Sequence, residues 1–545
     1  KEPRQQSSGT SFESIAKLSG TARNKALQEM LQDRLSRSLM DGGVVIVIGE
    51  TGSGKSTQAT IALEKLGFIV RHAVPRRALS EALSQYISEL GNTKVGQEVG
   101  FGHGLAEAIS KNTRHSIETH GRFVVRGLDS LNSPDQVLVI DEVHEPNELK
   151  ETLVAEAIQA LKDGTLHNLV LMSATPNIES LLKAFPGAQV IELPPNKHFV
   201  EFCQRDLSLR ESDIIRDLAQ RESGLAFCSG KSEIYGSIRS ISEVSKAQLL
   251  PWHSQLPMVE QRKVFESYPS AKCIFSTNIA QTGITIADIT RGYSSPYVRR
   301  ATIKYGTPTL EIAPKSRSEV VQEMGRLGKS CNGVFNWYGP DLNELPDHAP
   351  AQIQNIALES IALKLLARGK RIERLEYLEP PSSQAIHLAY RALEELGLTG
   401  PQRHITKLGE RVAQIPVDVN LGVMLVKAEQ HLAHAPEVLR AAIDIAAIVD
   451  SEGIIQSTAL AGTTKSNKGS NGHTTPKAHK KRDWNAQGNK RSGPADGTPK
   501  ARLPKWQKLC GMEQDSDLLA QLRVFRAALK LTPEQCEKLD VDPVA

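Results

Sequence analysis

The sequence predicts an α/β chain: two tandem parallel-sheet domains followed by a mainly helical C-terminal region. Two observations carry that expectation. Residues 44–48, 68–74, 137–140, 169–172, 225–228 and 273–275 are short, β-rich apolar runs, the signature of central strands buried on both faces. Amphipathic helical stretches alternate with them from Asp41 to about Cys331, and such alternation builds parallel sheets through helical crossovers. Two such sets in succession mean two domains, divided near Pro194-Pro195-Asn196. Beyond about Pro350 the pattern turns helical. Residues 351–367, 383–396 and 421–431 are amphipathic, Pro380-Pro381 punctuates them, and 397–406 suits a short hairpin.

The whole chain bounds its class. Its 545 residues leave room for about three to four domains, and 39% hydrophobic with 23% charged residues is a globular composition. No apolar stretch approaches the ~20 residues that cross a bilayer, so a membrane span is excluded. The opening Lys1-Glu2-Pro3-Arg4 has no apolar signal and no Met, and reads as a fragment or processed product. Cys203, Cys228, Cys273, Cys331, Cys510 and Cys536 form no CxxC pair and suit reduced thiols in an intracellular protein. Residues 463–508 hold twelve Lys/Arg against two acids, while the whole chain is only +4. Rich in Gly, Ser, Asn, Thr and Pro, that run reads as a disordered loop, either solubilising or attracting nucleic-acid phosphates.

The run 44–48 leads into Gly49-Glu50-Thr51-Gly52-Ser53-Gly54-Lys55-Ser56-Thr57, with a helix expected over 57–65. This is the GxxxxGK[ST] phosphate loop in its required strand-to-helix context. Glycines let backbone N–H groups wrap the phosphates, where side chains would block the approach. Lys55 suits β/γ-phosphate charge and Ser56 a Mg²⁺ ion. About ninety residues on, the run 137–140 ends in Asp141-Glu142. A carboxylate at the end of a buried strand lies where α/β sheets bind ligands. Asp141 suits Mg²⁺, and Glu142 suits the metal shell and activation of a water.

Asp141-Glu142-Val143-His144 resembles the signature of the DEAH-box/RNA-helicase-A (DEAH/RHA) family of superfamily 2 helicases, and further blocks follow in family order. Val74-Pro75-Arg76-Arg77 resembles the first RNA-contact motif, and Thr119-His120-Gly121 stands where Thr-Asp-Gly is usual. Leu171-Met172-Ser173-Ala174-Thr175 resembles the coupling motif. Phe227-Cys228-Ser229-Gly230 and the stretch from Ser276-Thr277 through Gly283 to Asp288 are similar to second-domain motifs. The likeness runs from about residue 30 to 535. It implies an N-terminal extension (1–29), RecA-like domains over 30–195 and 196–345, a winged-helix-like domain (346–415) and a ratchet-like domain (416–545) with a basic insertion near 460–508. It implies a monomeric motor that hydrolyses ATP or another NTP with Mg²⁺ and moves 3′-to-5′ on single-stranded or partly duplex RNA. Gly283 and Asp288 would border the nucleotide, with His144, Ser173 and Thr175 coupling the sites. Arg76, Thr119, Ser229, Gly230 and Thr277 would contact RNA. The pair 297–305 and 309–312, flanking Gly306-Thr307, reads as a hairpin that the family uses as a wedge, or as a plain structural hairpin.

One block departs. The usual Gln-Arg-x-Gly-Arg-x-Gly-Arg is here Gln322-Glu323-Met324-Gly325-Arg326-Leu327-Gly328-Lys329. Gln322 and Arg326 keep their places as catalytic candidates. Lys329 keeps its charge without the planar fork, and Glu323 reverses a charge beside an anion unless it turns away or is ion-paired. Three alternatives therefore stand beside the motor: an RNA-stimulated remodeller without processive unwinding, an RNA-binding scaffold with weakened catalysis, and a DNA-directed motor.

Overall fold

The computed structural model describes residues 12–40, 42–50, 52–104, 106–174, 177–195, 198–253, 256, 258–277, 286, 288–304, 307–329, 331–432, 434–450, 526 and 535. Thr51, Thr175, Gly283 and the basic run 463–508 lie outside them. Eight strands make the first sheet: Gly43–Ile48 (β1), Ile69–Val74 (β2), Val99–Gly102 (β3), Glu107–Ala108 (β4), His115–Thr119 (β5), Gln136–Ile140 (β6), Asn168–Ser173 (β7) and Gln189–Glu192 (β8). Their order is β4-β3-β5-β2-β6-β7-β1-β8, parallel except for the β3–β4 edge pair. Because β7 inserts between β6 and β1, three neighbouring strand ends carry Asp141-Glu142, Ser173 and the phosphate loop side by side.

Alternate residues of these strands go to opposite faces. Ile46, Leu138, Ile140, Leu169 and Leu171 enter one core, and Val45, Val47, Val139, Val170 and Met172 the other. Each such burial contributes about 1.5–3 kcal/mol, which is why the central strands β1, β6 and β7 are apolar on both faces. The second core also takes Leu27, Leu31, Leu35 and Leu39 from the helix Gly20–Leu39, which runs through residue 29 without a break.

Val200–Gln204 (β9), Gly224–Phe227 (β10), Gln248–Trp252 (β11), Lys272–Ser276 (β12), Arg291–Ser294 (β13), Tyr297–Lys304 (β14), Thr307–Pro314 (β15) and Gly333–Trp337 (β16) follow. Strands β14 and β15 pair antiparallel as a hairpin. The other six form a second sheet, ordered β11-β12-β10-β13-β16-β9 and parallel throughout. Leu225, Phe227 and Ile274 pack on one side of it, Ala226, Cys273, Phe275 and Tyr293 on the other.

The helical region differs from expectation at its start. Residues 351–367 are not one helix but a 3₁₀ turn, Gln352–Gln354, and a helix, Glu359–Leu366. Asn355 turns its side chain back to the Ala351 carbonyl (3.5 Å), and the Ile353 N–H goes to Glu151 Oε2 (3.1 Å), so helical bonds do not propagate. Ser383–Glu395 and Val419–Leu432 are helices as expected, and 397–406 narrows to one antiparallel bridge, Thr399 with Ile405. The Arg368 fork grips both oxygens of fully buried Glu156 at 2.7 and 2.8 Å, anchoring this region to the first α/β domain. The described residues within 255–260 and 435–545 form a separate unit, in which the Pro436–Asp450 helix pairs Asp444 with Arg526 at 2.8 Å. Cys203, Cys228, Cys273 and Cys331 are free thiols, and no described helix is long and apolar enough to cross a membrane.

Candidate active site

The phosphate loop leaves β1 and turns into a π-helical segment, Lys55–Ala59, before the α-helix Thr60–Lys65. Gly52 and Gly54 hold φ of 77° and 102°, which side-chain-bearing residues rarely adopt. Lys55 is buried, and its ammonium donates to the carbonyls of Gly49 (2.5 Å) and Glu50 (2.9 Å). Ser53 Oγ is buried with no protein partner, while Ser56 and Thr57 stay half-buried at the helix mouth. Glu50 is exposed and sits in the field of Lys55 and Lys329.

Asp141 is fully buried. Burial works against its charge, yet the hydrogen bonds from His72 and Ser56 and the Lys55 ammonium hold its carboxyl below the usual range. His72 Nε2 lies 3.4 Å from Asp141 Oδ2. Sequence reading passed over His72. Its only signal was a histidine beside Arg71 within a strand whose other residues are apolar. Glu142 has a φ of 53°, an uncommon conformation for this residue type. Burial, reinforced by Asp141, pushes its carboxyl up to about 8, with Lys55 and Arg326 pulling the other way. Environment thus sets adjacent carboxyls apart: Asp141 is held charged, and Glu142 readily takes up a proton.

His144 ties three segments together. Its Nδ1 accepts the Ala174 N–H (3.3 Å) and lies 3.2 Å from Ser173 Oγ. That backbone donor fixes the tautomer, so Nε2 carries the proton. Nε2 lies 3.1 Å from the Gln322 amide, which must turn its oxygen inward, and 3.4 Å from Glu142 Oε2. Gln322 stands on the helix Arg317–Met324 of the second sheet's domain, started by a Ser316/Glu319 capping box. The loop after it brings in Arg326, buried and held at about 10 by desolvation against the pull of Glu142 and Glu145. Lys329 follows, its ammonium 2.8 Å from where a Gly52 Cβ would stand.

Glu323 does not face this cleft's cations. It is buried with Lys315 Nζ at 2.7 Å and accepts from Ser294 Oγ at 2.5 Å. The reversed charge is therefore an internal ion pair; Lys315 gave no sequence signal for it.

The expected RNA-contact residues stand at the C-terminal strand ends. Val74 pairs with Thr119, so Arg76 and Thr119 leave neighbouring strands; Phe227 pairs with Ser276, doing the same for Ser229 and Thr277. Ser229 bonds Glu233 at 2.7 Å through both its N–H and its hydroxyl, and Arg299 of the hairpin packs over Gly230. Arg76 also lies in the field of Glu145 and Arg326, closer to the acidic loop than an outer contact residue needs to be. Asp288 is exposed and nears Lys272, and no described contact joins it to the phosphate loop.

A phosphate loop on one parallel sheet, faced by cations from a second, defines a P-loop protein of tandem RecA-like architecture. Residues 29–184 match the DEAD/DEAH box helicase family, and 210–331 match the helicase conserved C-terminal domain. The chain is 28% identical over 438 residues to the ATP-dependent RNA helicase HrpA of Escherichia coli (strain K12), covering 75% of this chain and 34% of that protein. A Haemophilus influenzae HrpA homolog is 28% identical over 425 residues, 72% of this chain and 32% of its own. Among solved structures, the E. coli DExH-box NTPase HrpB superposes with a TM-score of 0.66 at 25% identity, covering 78% of this chain and 54% of that one. The chain belongs to the DEAH/RHA type of superfamily 2 helicases. It spans about a third of the length of these curated relatives.

Proposed function

We propose that the chain is an RNA motor that hydrolyses ATP, or another nucleoside triphosphate, between its two α/β domains and steps 3′-to-5′ along single-stranded RNA. One observation supports this above the rest: Gln322, Arg326 and Lys329 of the second domain meet His144, Glu142 and the phosphate loop of the first in one cleft. A cleft built from both domains lets nucleotide state set their separation. The buried cations Lys55 and Arg326, with the buried ammonium of half-buried Lys329, suit a polyphosphate, and Lys329 Nζ has no protein partner to compete. Ser56, Asp141 and Glu142 suit a Mg²⁺ ion, which when bound would neutralise β- and γ-phosphate charge.

Within the cleft, Lys55 orients the phosphates and Glu142 takes the proton of the attacking water. Arg326 and Lys329 stabilise the charge that develops as the bond breaks. His144 reports that state to Ser173 and Gln322. RNA as the track rests on the relatives' names and on Arg76, Thr119, Ser229, Gly230 and Thr277 at the strand ends, where contacts to backbone phosphates need no base reading. The scaffold reading is not favoured, because Glu323 is neutralised by Lys315 rather than set against the phosphates.

Steady-state ATPase activity with and without single-stranded RNA tests the reading. RNA stimulation is expected, and Lys55→Ala abolishes turnover. RNA binding with negligible turnover in the unmodified chain would leave the scaffold instead. His144→Ala should keep nucleotide affinity within about twofold yet lower RNA stimulation about tenfold. Unchanged stimulation would remove His144 from the coupling route.

A further inference from the structure

We infer that nucleotide binding in this cleft is coupled to proton uptake by Lys329, which makes Lys329 a pH-dependent clamp on the terminal phosphates. The inference rests on the nucleotide-binding reading above and concerns a position where this chain carries lysine in place of the family's arginine.

Lys329 Nζ is buried with no hydrogen-bond partner, while its neighbour Lys55 has two loop carbonyls. It lies over Gly52, whose missing Cβ is what lets the ammonium approach: a Cβ there would stand 2.8 Å from Nζ and 3.2 Å from Cδ and Cε. The charged groups facing it are Arg326 from its own segment, and Lys55 and Glu50 from the phosphate loop. Beside it, Gly328 packs against Val200 of β9 and the His198 carbonyl just before that strand. Two cations against one exposed carboxylate leave an excess of positive charge around a desolvated amine.

A proton is costly there. Burial, with Arg326 and Lys55 adding to it, brings Lys329 down to about 7. Phosphate oxygens entering the cleft reverse the balance, because anions favour the charged form. The amine lone pair then takes a proton from the buffer and the resulting ammonium holds the oxygens. An arginine in the same place stays charged throughout and takes up nothing. The sign follows: binding weakens as pH rises above about 7, because the proton must then be drawn from a scarcer pool.

Isothermal titration with the ATP analogue AMP-PNP and Mg²⁺ tests this, in buffers of different ionisation enthalpy at about pH 8. With a free-state value of about 7, roughly 0.9 proton per nucleotide should be taken up beyond that of Lys329→Arg. Between pH 6 and 8 the wild-type affinity should fall about tenfold more than that of Lys329→Arg. The variant comparison cancels the nucleotide's own ionisation and that of Glu142. ADP, which lacks the γ-phosphate, should draw fewer protons than AMP-PNP in the unmodified chain, a contrast that needs no variant. Lys329→Met should take up no more than Lys329→Arg. Equal proton uptake by wild type and both variants overturns the inference while leaving nucleotide binding intact. Failure of the wild type to bind AMP-PNP overturns the nucleotide reading itself, and this inference with it.

Discussion

Glu142→Gln should lower nucleotide hydrolysis by about 10²–10⁴-fold while nucleotide and RNA still bind. Glu142 is buried, adjoins Asp141 and holds a left-handed backbone conformation that positions it at the end of β6. Its acid form dominates up to about 8, so glutamine matches the shape and hydrogen bonding of the resting side chain and removes only the ionised form that accepts the water's proton. The stability consequence has a definite sign. A carboxyl raised from 4.5 to about 8 binds more protons when folded, so it stabilises the fold at low pH and loses that benefit as pH rises through about 8. At about pH 8 the variant should therefore melt at or above the wild-type temperature, although its turnover is lost. Single-turnover hydrolysis and thermal melts over pH 6–9 measure both. Turnover within tenfold of wild type would assign the base elsewhere. A markedly lower melting temperature would make Glu142 structural.

Breaking the Glu323–Lys315 pair carries the largest expected stability effect. Both side chains are about 2% exposed or less, at 2.7 Å, with Ser294 Oγ as a further partner of each. Glu323→Gln leaves an ammonium stranded in the core of the second α/β domain, and removing one member of a buried pair costs about 3–5 kcal/mol. The weak contact of Lys315 with the Phe227 ring, 5.8 Å from its centroid, does not offset that. Glu323→Arg, which restores the residue usual in the family, should be worse, since it sets two cations together. Combining Glu323→Gln with Lys315→Met should recover most of the loss, because a buried pair and its neutral replacement are often close in stability. Urea unfolding of the three variants, followed through the second domain's transition, decides it. Equal losses in Glu323→Gln and in the double variant would mean that packing, not charge, is what matters there.

The relation between chain and fold shows in the same residues. The apolar runs around Val45, Val139 and Val170 announced buried strands because a strand covered on both faces has no place for polar side chains. The phosphate loop, Asp141 and Glu142 were readable for a related reason: the chemistry demands particular residues at short spacing, and spacing is a property of the chain. The short edge strands β4 and β8, and β3 next to β4, were not readable, since their brief, mixed sequences take their conformation from neighbours. The split of 351–367 was hidden as well, because it depends on Ile353 donating to Glu151, two hundred residues away.

Sequence by itself thus determined the sheet-forming runs, the phosphate loop and the acidic pair, all of which are local demands of backbone and ligand chemistry. Tertiary structure alone decided that Ser173 lies between the loop and Asp141, and that His72 supports Asp141 from a neighbouring strand. It also decided that Glu323 answers Lys315 rather than a phosphate, and that Lys329 stands without a partner over Gly52. Those outcomes follow from strand order and from which buried charges lie within a few ångströms of each other. Both are set when distant segments pack, and neither is written in the spacing of residues along the chain.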